Sequence, residues 1–445
     1  MPVSPARAAA FDILVRVERE SSYASELLHS KTYEDLSTPD HALATELVLG
    51  VLRWRSVLDV NVSQASSQPL KKLDLEVLIA LRLAIYQFLY LDRVPRRAAL
   101  HESVELVKRA RKRSAAPFVN AVLRKLSQDS LRNPVPPVLD GLSAQVLSSA
   151  LAHPEWLVER WSRQFGLPAA QQICTYNQAT PQTVLRFRTS AAEGDLTAEG
   201  VVLIPGSFLS SAGRVKSGDV TKTKSFRQGH VVIQDEASQL IAALVAPAER
   251  VLDCCAAPGG KTLAIADQNS YATITAVELH PHRARLMHSR FSADSRIKTL
   301  VADARQLPLT QPFDRILADV PCSGTGTLAR NPEIKWRLRP DDLKELHNRQ
   351  FEILRSALVH LAPGGRLIYS TCSLEREENE DVVERVLQED PTLRLLDCHA
   401  ELDRLKSTGV LTWLDPASLA RGPFLRTIPG IHPCDGFFAA ILERP

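Results

Sequence analysis

Long apolar runs are missing from the 445-residue chain: none approaches the roughly 18 consecutive apolar residues that a membrane-spanning helix needs. A secretory signal is missing too, because Asp12, Arg16 and Glu18 interrupt the apolar stretch near the N-terminus. Cysteine is sparse. The seven residues Cys174, Cys254, Cys255, Cys322, Cys372, Cys398 and Cys434 have no regular spacing, which makes a poor disulfide framework. No paired CxxC arrangement of the zinc kind occurs, and no metal is expected. Internal repeats and low-complexity tracts are absent. These absences point to a soluble cytoplasmic protein with reduced thiols, one or two of them reactive, and with no membrane partner.

What is present is ordinary globular composition, 44% hydrophobic and 24% charged, which excludes a disordered chain, a collagen and a coiled coil. The length predicts about two to four domains. The net charge of +3 is unevenly spread: residues 1–140 hold 20 Lys and Arg against 16 Asp and Glu, a net +4 that leaves the remainder at −1. Within that first third, Arg96, Arg97, Lys108, Arg109, Arg111, Lys112 and Arg113 lie close together. Such a cluster can neutralise phosphates, or it can simply be a solvated helix face.

Residues 1–130 read as helices. Pro117 suits a first-turn position, and Phe118, Val119, Val122, Leu123 and Leu126 follow at helical spacing. Residues 74–90 and 42–58 are similar runs, so a helical bundle is predicted. Asn133-Pro134-Val135-Pro136-Pro137 reads as a stiff linker. Residues 141–240 are mixed, with helices over 143–177 and strands near 183–188 and 201–204. From Arg250 onward, strand-length apolar runs alternate with helical stretches: 250–253, 272–278, 298–303, 313–320 and 366–370. That is the pattern of a doubly wound parallel sheet. Residues 424–428 and 437–442 suit a closing hairpin at one edge.

Three motifs carry chemistry. Val251-Leu252-Asp253-Cys254-Cys255-Ala256-Ala257-Pro258-Gly259-Gly260-Lys261-Thr262 runs from a strand through a small-residue loop into a helix start. Small residues let a ligand approach the backbone, and helix-start amides favour an anionic group; a plain tight turn would look the same. Glu278 ends the next strand, where an acid suits ribose hydroxyls, and Asp303 ends the third, within reach of an adenine amino group. Three acids at successive strand ends fit an adenosine-containing cofactor better than solvated surface. The loop lacks GxxxxGK[ST], which disfavours a P-loop triphosphatase. The second motif, Asp319-Val320-Pro321-Cys322-Ser323-Gly324-Thr325-Gly326, and the third, Ser370-Thr371-Cys372-Ser373, put one cysteine at each of two further strand ends. Most cysteines are inert core fillers, but these two sit in polar, small-residue turns.

These motifs resemble the signatures of RNA cytosine-C5 methyltransferases that use S-adenosylmethionine. Gln234–Leu240, Asn331–Trp336 and Asp435–Ala440 are similar to further segments of that family, and Arg7–Leu14, Glu46–Trp54 and Phe118–Leu126 resemble a NusB-type RNA-binding domain. The combination resembles the Sun or Fmu (RsmB-type) family of bacterial 16S rRNA (cytosine-967-C5)-methyltransferases. Cys254, Ala302, Val320 and Glu333 depart from the usual family residues without removing a group the chemistry needs.

The resemblance implies three parts: an all-α NusB-like domain over 1–132, a small α+β linker domain over 141–234, and a Rossmann-like methyltransferase domain over 235–445. It implies S-adenosylmethionine held by Cys255, Ala256, Ala257, Pro258, Gly259, Gly260, Lys261, Glu278, Asp303 and Asp319, and 16S rRNA as partner of a monomer. It assigns the nucleophile to Cys372. Asp319 would meet the base edge near N3 with its pKa raised if it donates a proton, Cys322 would assist loss of the C5 proton or product release, and Lys261 would support the thiolate or the cofactor. Other readings stay open. Pro321-Cys322 also fits the Pro-Cys nucleophile of DNA cytosine methyltransferases, although a second Thr-Cys favours the RNA class. C5 methylation of cytosine in another RNA, a tRNA or another rRNA site, and a non-catalytic RNA-binding assembly factor are the remaining alternatives.

Overall fold

The computed structural model describes residues 3–20, 22–128, 143–292 and 294–445; the Asn133–Pro137 linker lies outside the described residues. Two compact units emerge, one of residues 1–180 with 328–337, the other of 181–327 with 338–445. Among the described residues no helix is long and apolar enough to cross a membrane.

The first unit is helical, as predicted. Its centre is the helix Leu75–Tyr90, buried on most of its surface at Val77, Ile79, Ala80, Leu81 and Leu83–Phe88. Around it pack Pro5–Glu20, Thr38–Arg53, Arg96–Arg109 and Ala116–Gln128. Arg82, on an otherwise apolar face, is buried against Asp59 in a two-pronged ion pair of 2.7 and 2.8 Å. A paired charge is tolerated there because both guanidinium edges find carboxylate oxygens. The run 42–58 is two helices rather than one: the chain breaks at Trp54, whose ring stacks on Tyr90 at 5.0 Å, and resumes as Arg55–Ala65.

Helices Ala144–Ala150, Glu155–Phe165 and Leu167–Gln178 cluster with the helical unit, where the Gln178 amide donates to the Arg53 carbonyl at 3.3 Å. The segment Leu328–Arg337 joins the same unit. Lys335, 1% exposed, donates to the Arg53 carbonyl at 2.9 Å, Trp336 to Leu52 at 2.6 Å and Arg337 to Val17 at 2.8 Å, while Glu333 accepts from the Ala24 amide at 2.8 Å.

The second unit contains two sheets. The smaller, of β1 (Val184–Phe187), β2 (Val202–Pro205), β3 (Ala212–Ser217) and β4 (Val231–Ile233), is antiparallel with order β2-β3-β1-β4. It is tied to the rest of this unit by charge. Arg186 and Arg188 both grip Asp267, at 2.5 and 2.8 Å, and buried Glu236 accepts from the amides of Ser207, Phe208 and Leu209 at 2.7, 2.6 and 3.1 Å.

The larger sheet is mixed. Its parallel part is β5 (Arg250–Asp253), β6 (Thr273–Glu278), β7 (Ile297–Val301), β8 (Phe313–Asp319) and β9 (Leu361–Thr371). The antiparallel part is β10 (Arg394–Leu396), β11 (Ala420–Arg421), β12 (Phe424–Arg426) and β13 (Phe438–Glu443). The order is β11-β12-β13-β9-β8-β5-β6-β7, with β10 beside β13. The order reverses between β5 and β8, so ligands have a crevice outside the carboxyl ends of the central strands. The expected closing hairpin is β12 with β13, extended by β11. β7 ends at Val301, so Asp303 stands two residues past the strand rather than at its end.

Candidate active site

The crevice is a cleft of about 580 Å³ at the carboxyl edge of β5 to β9. Its floor is the turn after β5. The Cys254 amide bonds the Leu317 carbonyl at 2.9 Å and the Ala256 amide bonds Val277 at 2.9 Å, which pins the turn to both neighbouring strands. Gly259 then takes φ +96°, and a Cβ there would lie 2.6 Å from the Phe291 ring. Glycine is needed on both counts before the helix Gly260–Gln268 can start. Of the expected loop residues, Cys255 and Ala257 line the cleft, and Ala256, Pro258, Gly259, Gly260 and Lys261 are not among its lining residues.

Glu278 ends β6 almost fully buried. One carboxylate oxygen accepts from the His280 amide at 2.8 Å, and the other lies 3.9 Å from Arg283. Asp303 also lines the cleft, but its carboxylate is clamped by Arg305 at 2.6 to 3.1 Å. That clamp holds its carboxyl below its ordinary value. Arg305, Arg349, His280 and Arg283 line the cleft and were not anticipated, since nothing local in the sequence marks them. Asp253 is different: it is 1% exposed, accepts from the Thr262 hydroxyl at 2.7 Å, and does not line the cleft. Burial pushes it up to about 7, with Asp319 adding to the rise.

At the ends of β8 and β9 the remaining expected residues converge. Asp319 forms an ion pair with Lys261 at 2.7 Å and accepts from the Ser370 hydroxyl at 2.7 Å. Burial pulls Lys261 down, yet the Asp319 carboxylate more than offsets it, and the ammonium is held above its ordinary range. Both Asp319 oxygens are thus already engaged, one by the Lys261 ammonium and one by the Ser370 hydroxyl. The Cys322 and Cys372 sulfurs lie 3.3 Å apart, both beside the cleft. The hydrogen bond to Cys372, together with burial, pushes the Cys322 thiol well above the ordinary range. Gly326 locks the two turns together. Its amide donates to the Cys372 carbonyl at 2.8 Å, and a Cβ there would sit 2.1 Å from the Gly436 carbonyl oxygen. Behind the thiols lies Glu378, fully buried, whose carboxylate accepts from both Ser323 and Ser373. Sequence reading missed it, because Glu377-Glu378-Asn379-Glu380 looks like a solvated helix start.

The residues present fit S-adenosylmethionine. A small-residue turn opens a helix at the cleft, a buried carboxylate with one oxygen turned from the backbone stands at the end of β6, and the space suffices for a nucleoside with its side chain. Fold and site define an S-adenosylmethionine-dependent methyltransferase. Comparison with known proteins narrows this. Residues 242–443 match the family model of 16S rRNA methyltransferase RsmB/F, and residues 4–128 match that of the NusB family. The chain is 36% identical over 409 residues to "Probable ribosomal RNA small subunit methyltransferase B" of Bacillus subtilis, covering 88% of this chain and 90% of that one. It is 32% identical to the Synechocystis protein of the same name, covering 99% of each. The crystal structure of PH0851 shares the fold, with a TM-score of 0.80 at 23% identity, covering 100% of this chain and 99% of that one. The chain belongs to the RsmB/F family of 16S rRNA methyltransferases.

Proposed function

We propose that this enzyme methylates C5 of one cytosine in 16S rRNA, the resemblance naming position 967, through a covalent bond between Cys372 and C6. The observation that carries this is the pair of thiols 3.3 Å apart that line the cleft together with Asp319, itself ion-paired with Lys261. Cytosine C5 is a poor nucleophile. Attack of the Cys372 thiolate at C6 turns the ring into an enamine, whose C5 can accept a methyl group. S-adenosylmethionine supplies that methyl when bound. Cys322, whose thiol is pushed well above its ordinary range, would act as the donor of this pair and stabilise the attacking Cys372 thiolate. Asp319 would accept from the 4-amino group of the base, and the Lys261 ammonium would balance the negative charge that develops on the ring. Loss of the C5 proton to water would then expel Cys372 as thiolate, and the Cys322 thiol would assist this elimination by hydrogen-bonding the departing sulfur. The base must leave its stack to reach the thiols, which is cheapest in a single-stranded RNA loop. The helical unit would contribute RNA affinity, and the enzyme would act as a cytoplasmic monomer.

One gel tests this, with wild type, Cys372→Ala, Cys322→Ala and the double mutant, labelled 16S rRNA and cofactor. Cys372→Ala should lose methylation and form no adduct. Cys322→Ala should accumulate a protein–RNA adduct that survives denaturation, and the double mutant should form none. An adduct seen only when Cys322 is present would make Cys322 the nucleophile. Bisulfite sequencing of RNA from cells lacking the protein identifies the target base.

A further inference from the structure

We propose that Glu378 is a positioning residue that holds the Cys322 and Cys372 thiols in register. This rests on reading those two cysteines as the working pair. Its carboxylate is wholly buried and receives four donors. One oxygen accepts from the Ser323 amide and from the Gln350 amide group, both at 2.8 Å; the other accepts from the Ser323 hydroxyl and, at 2.5 Å, from the Ser373 hydroxyl. Ser323 directly follows Cys322, and Ser373 directly follows Cys372. The Gln350 amide group also donates to the Pro321 carbonyl at 3.0 Å, on the other side of Cys322. Asn379 completes the bracket: it accepts from the Thr371 hydroxyl at 2.5 Å and donates to the Ser373 carbonyl at 2.9 Å. Each cysteine is thus fixed through the residues on both sides of it, and one carboxylate is common to the two turns.

None of the four donors is a cation. Burying a carboxylate without an ion pair is costly, and the cost is offset only because all four hydrogen bonds point at it from fixed positions. Two hydroxyls, one backbone amide and one side-chain amide need an acceptor of that shape. A neutral amide in its place keeps the volume but turns one oxygen into a donor facing other donors.

The test uses the full chain carrying Glu378→Gln, with two readouts. The first is the rate at which the thiol-specific oxidant diamide closes a Cys322–Cys372 disulfide, followed by peptide mass spectrometry; it reports the spacing of the sulfurs and does not depend on which one attacks RNA. The second is steady-state methylation. The expected result is a disulfide rate at least about tenfold slower and a kcat lower by on the order of a hundredfold, as misplacement of a reacting group by about 1 Å produces. The KM for S-adenosylmethionine should stay within about twofold of wild type, because Glu378 does not line the cleft. Wild-type disulfide rate and kcat would overturn the proposal, and so would a parallel loss of cofactor binding. If Glu378→Gln does not fold, Ser323→Ala and Ser373→Ala decide: each should show the same pattern more weakly, and unchanged thiol coupling in both would overturn it. Failure of the nucleophile assignment shows separately, as methylation that survives Cys372→Ala.

Discussion

Asp253→Asn should flatten the pH dependence of stability of the catalytic unit. Asp253 is 1% exposed and its proton is held to about pH 7, chiefly by burial. In the unfolded chain an aspartate titrates near pH 3.9. Between those values the folded protein binds the proton and the unfolded chain does not, so raising the pH favours unfolding. The stabilising protonated form is fully present below about pH 4 and is lost as pH rises toward 7. Linkage with these two values gives a loss of about 2–3 kcal/mol between pH 5 and pH 8 from this single group. Asparagine has the same shape, can still accept from Thr262 and carries no charge at any pH. The variant should match wild type below about pH 4 and exceed it above, with the gap widening by about 2–3 kcal/mol between pH 5 and pH 8. Tryptophan fluorescence would follow the wrong unit, since Trp54, Trp156, Trp161 and Trp336 lie in the helical unit and only Trp413 in the catalytic one. Hydrogen exchange of the Val251 and Leu252 amides at increasing urea reads the right transition. Parallel stability profiles for the two proteins would refute the reasoning, because they would mean that Asp253 ionises alike in both states.

Two further outcomes are expected. Asp303→Ala should weaken S-adenosylmethionine binding by about tenfold in calorimetry without RNA, as loss of one hydrogen bond to a charged group does; equal affinity would remove Asp303 from the site. Replacing Arg97, Arg111 and Arg113 together with alanine should reduce the slope of log affinity for RNA against log salt by about 2, at about 0.7 per phosphate contact; an unchanged slope would place the phosphate contacts elsewhere.

The choice of those three arginines shows where sequence reading runs out. Seven basic residues were grouped by proximity in the chain. The structure commits Arg109 to Asp12 at 2.7 Å, Lys108 to Glu105 at 2.7 Å and Lys112 to Asp74 at 3.0 Å. Arg96 donates to the Ser127 carbonyl at 3.2 Å. Asp12 is 97 residues from Arg109, so no window reveals the pairing. Strands were more legible, because alternation and flanking turns are local: 250–253 is β5 residue for residue. The shift at Asp303 arises because β7 stops pairing with β6 at Val301, opposite Glu278, before the chain turns. The break at Trp54 was invisible because the helices on either side keep apolar faces. The placement of Leu328–Arg337 in the helical unit depends on contacts with residues some 280 to 320 positions away.

The candidate site divides in the same way. Residue types with a local signature, such as two cysteines in small-residue turns and a glycine pair before a helix, can be found by inspection. Roles set by partners cannot. Asp319 could have been an acid or an acceptor on sequence alone. With Lys261 on one oxygen and the Ser370 hydroxyl on the other, each at 2.7 Å, both oxygens already act as acceptors. In the proposed reaction, a base would meet a carboxylate and an ammonium side by side, complementary to an amino group and to a ring that gains negative charge on attack. Glu378 is the converse case. Its sequence context reads as solvent, and only the arrival of Ser323, Ser373 and Gln350 from separate elements turns it into the buried acceptor on which both thiol turns close.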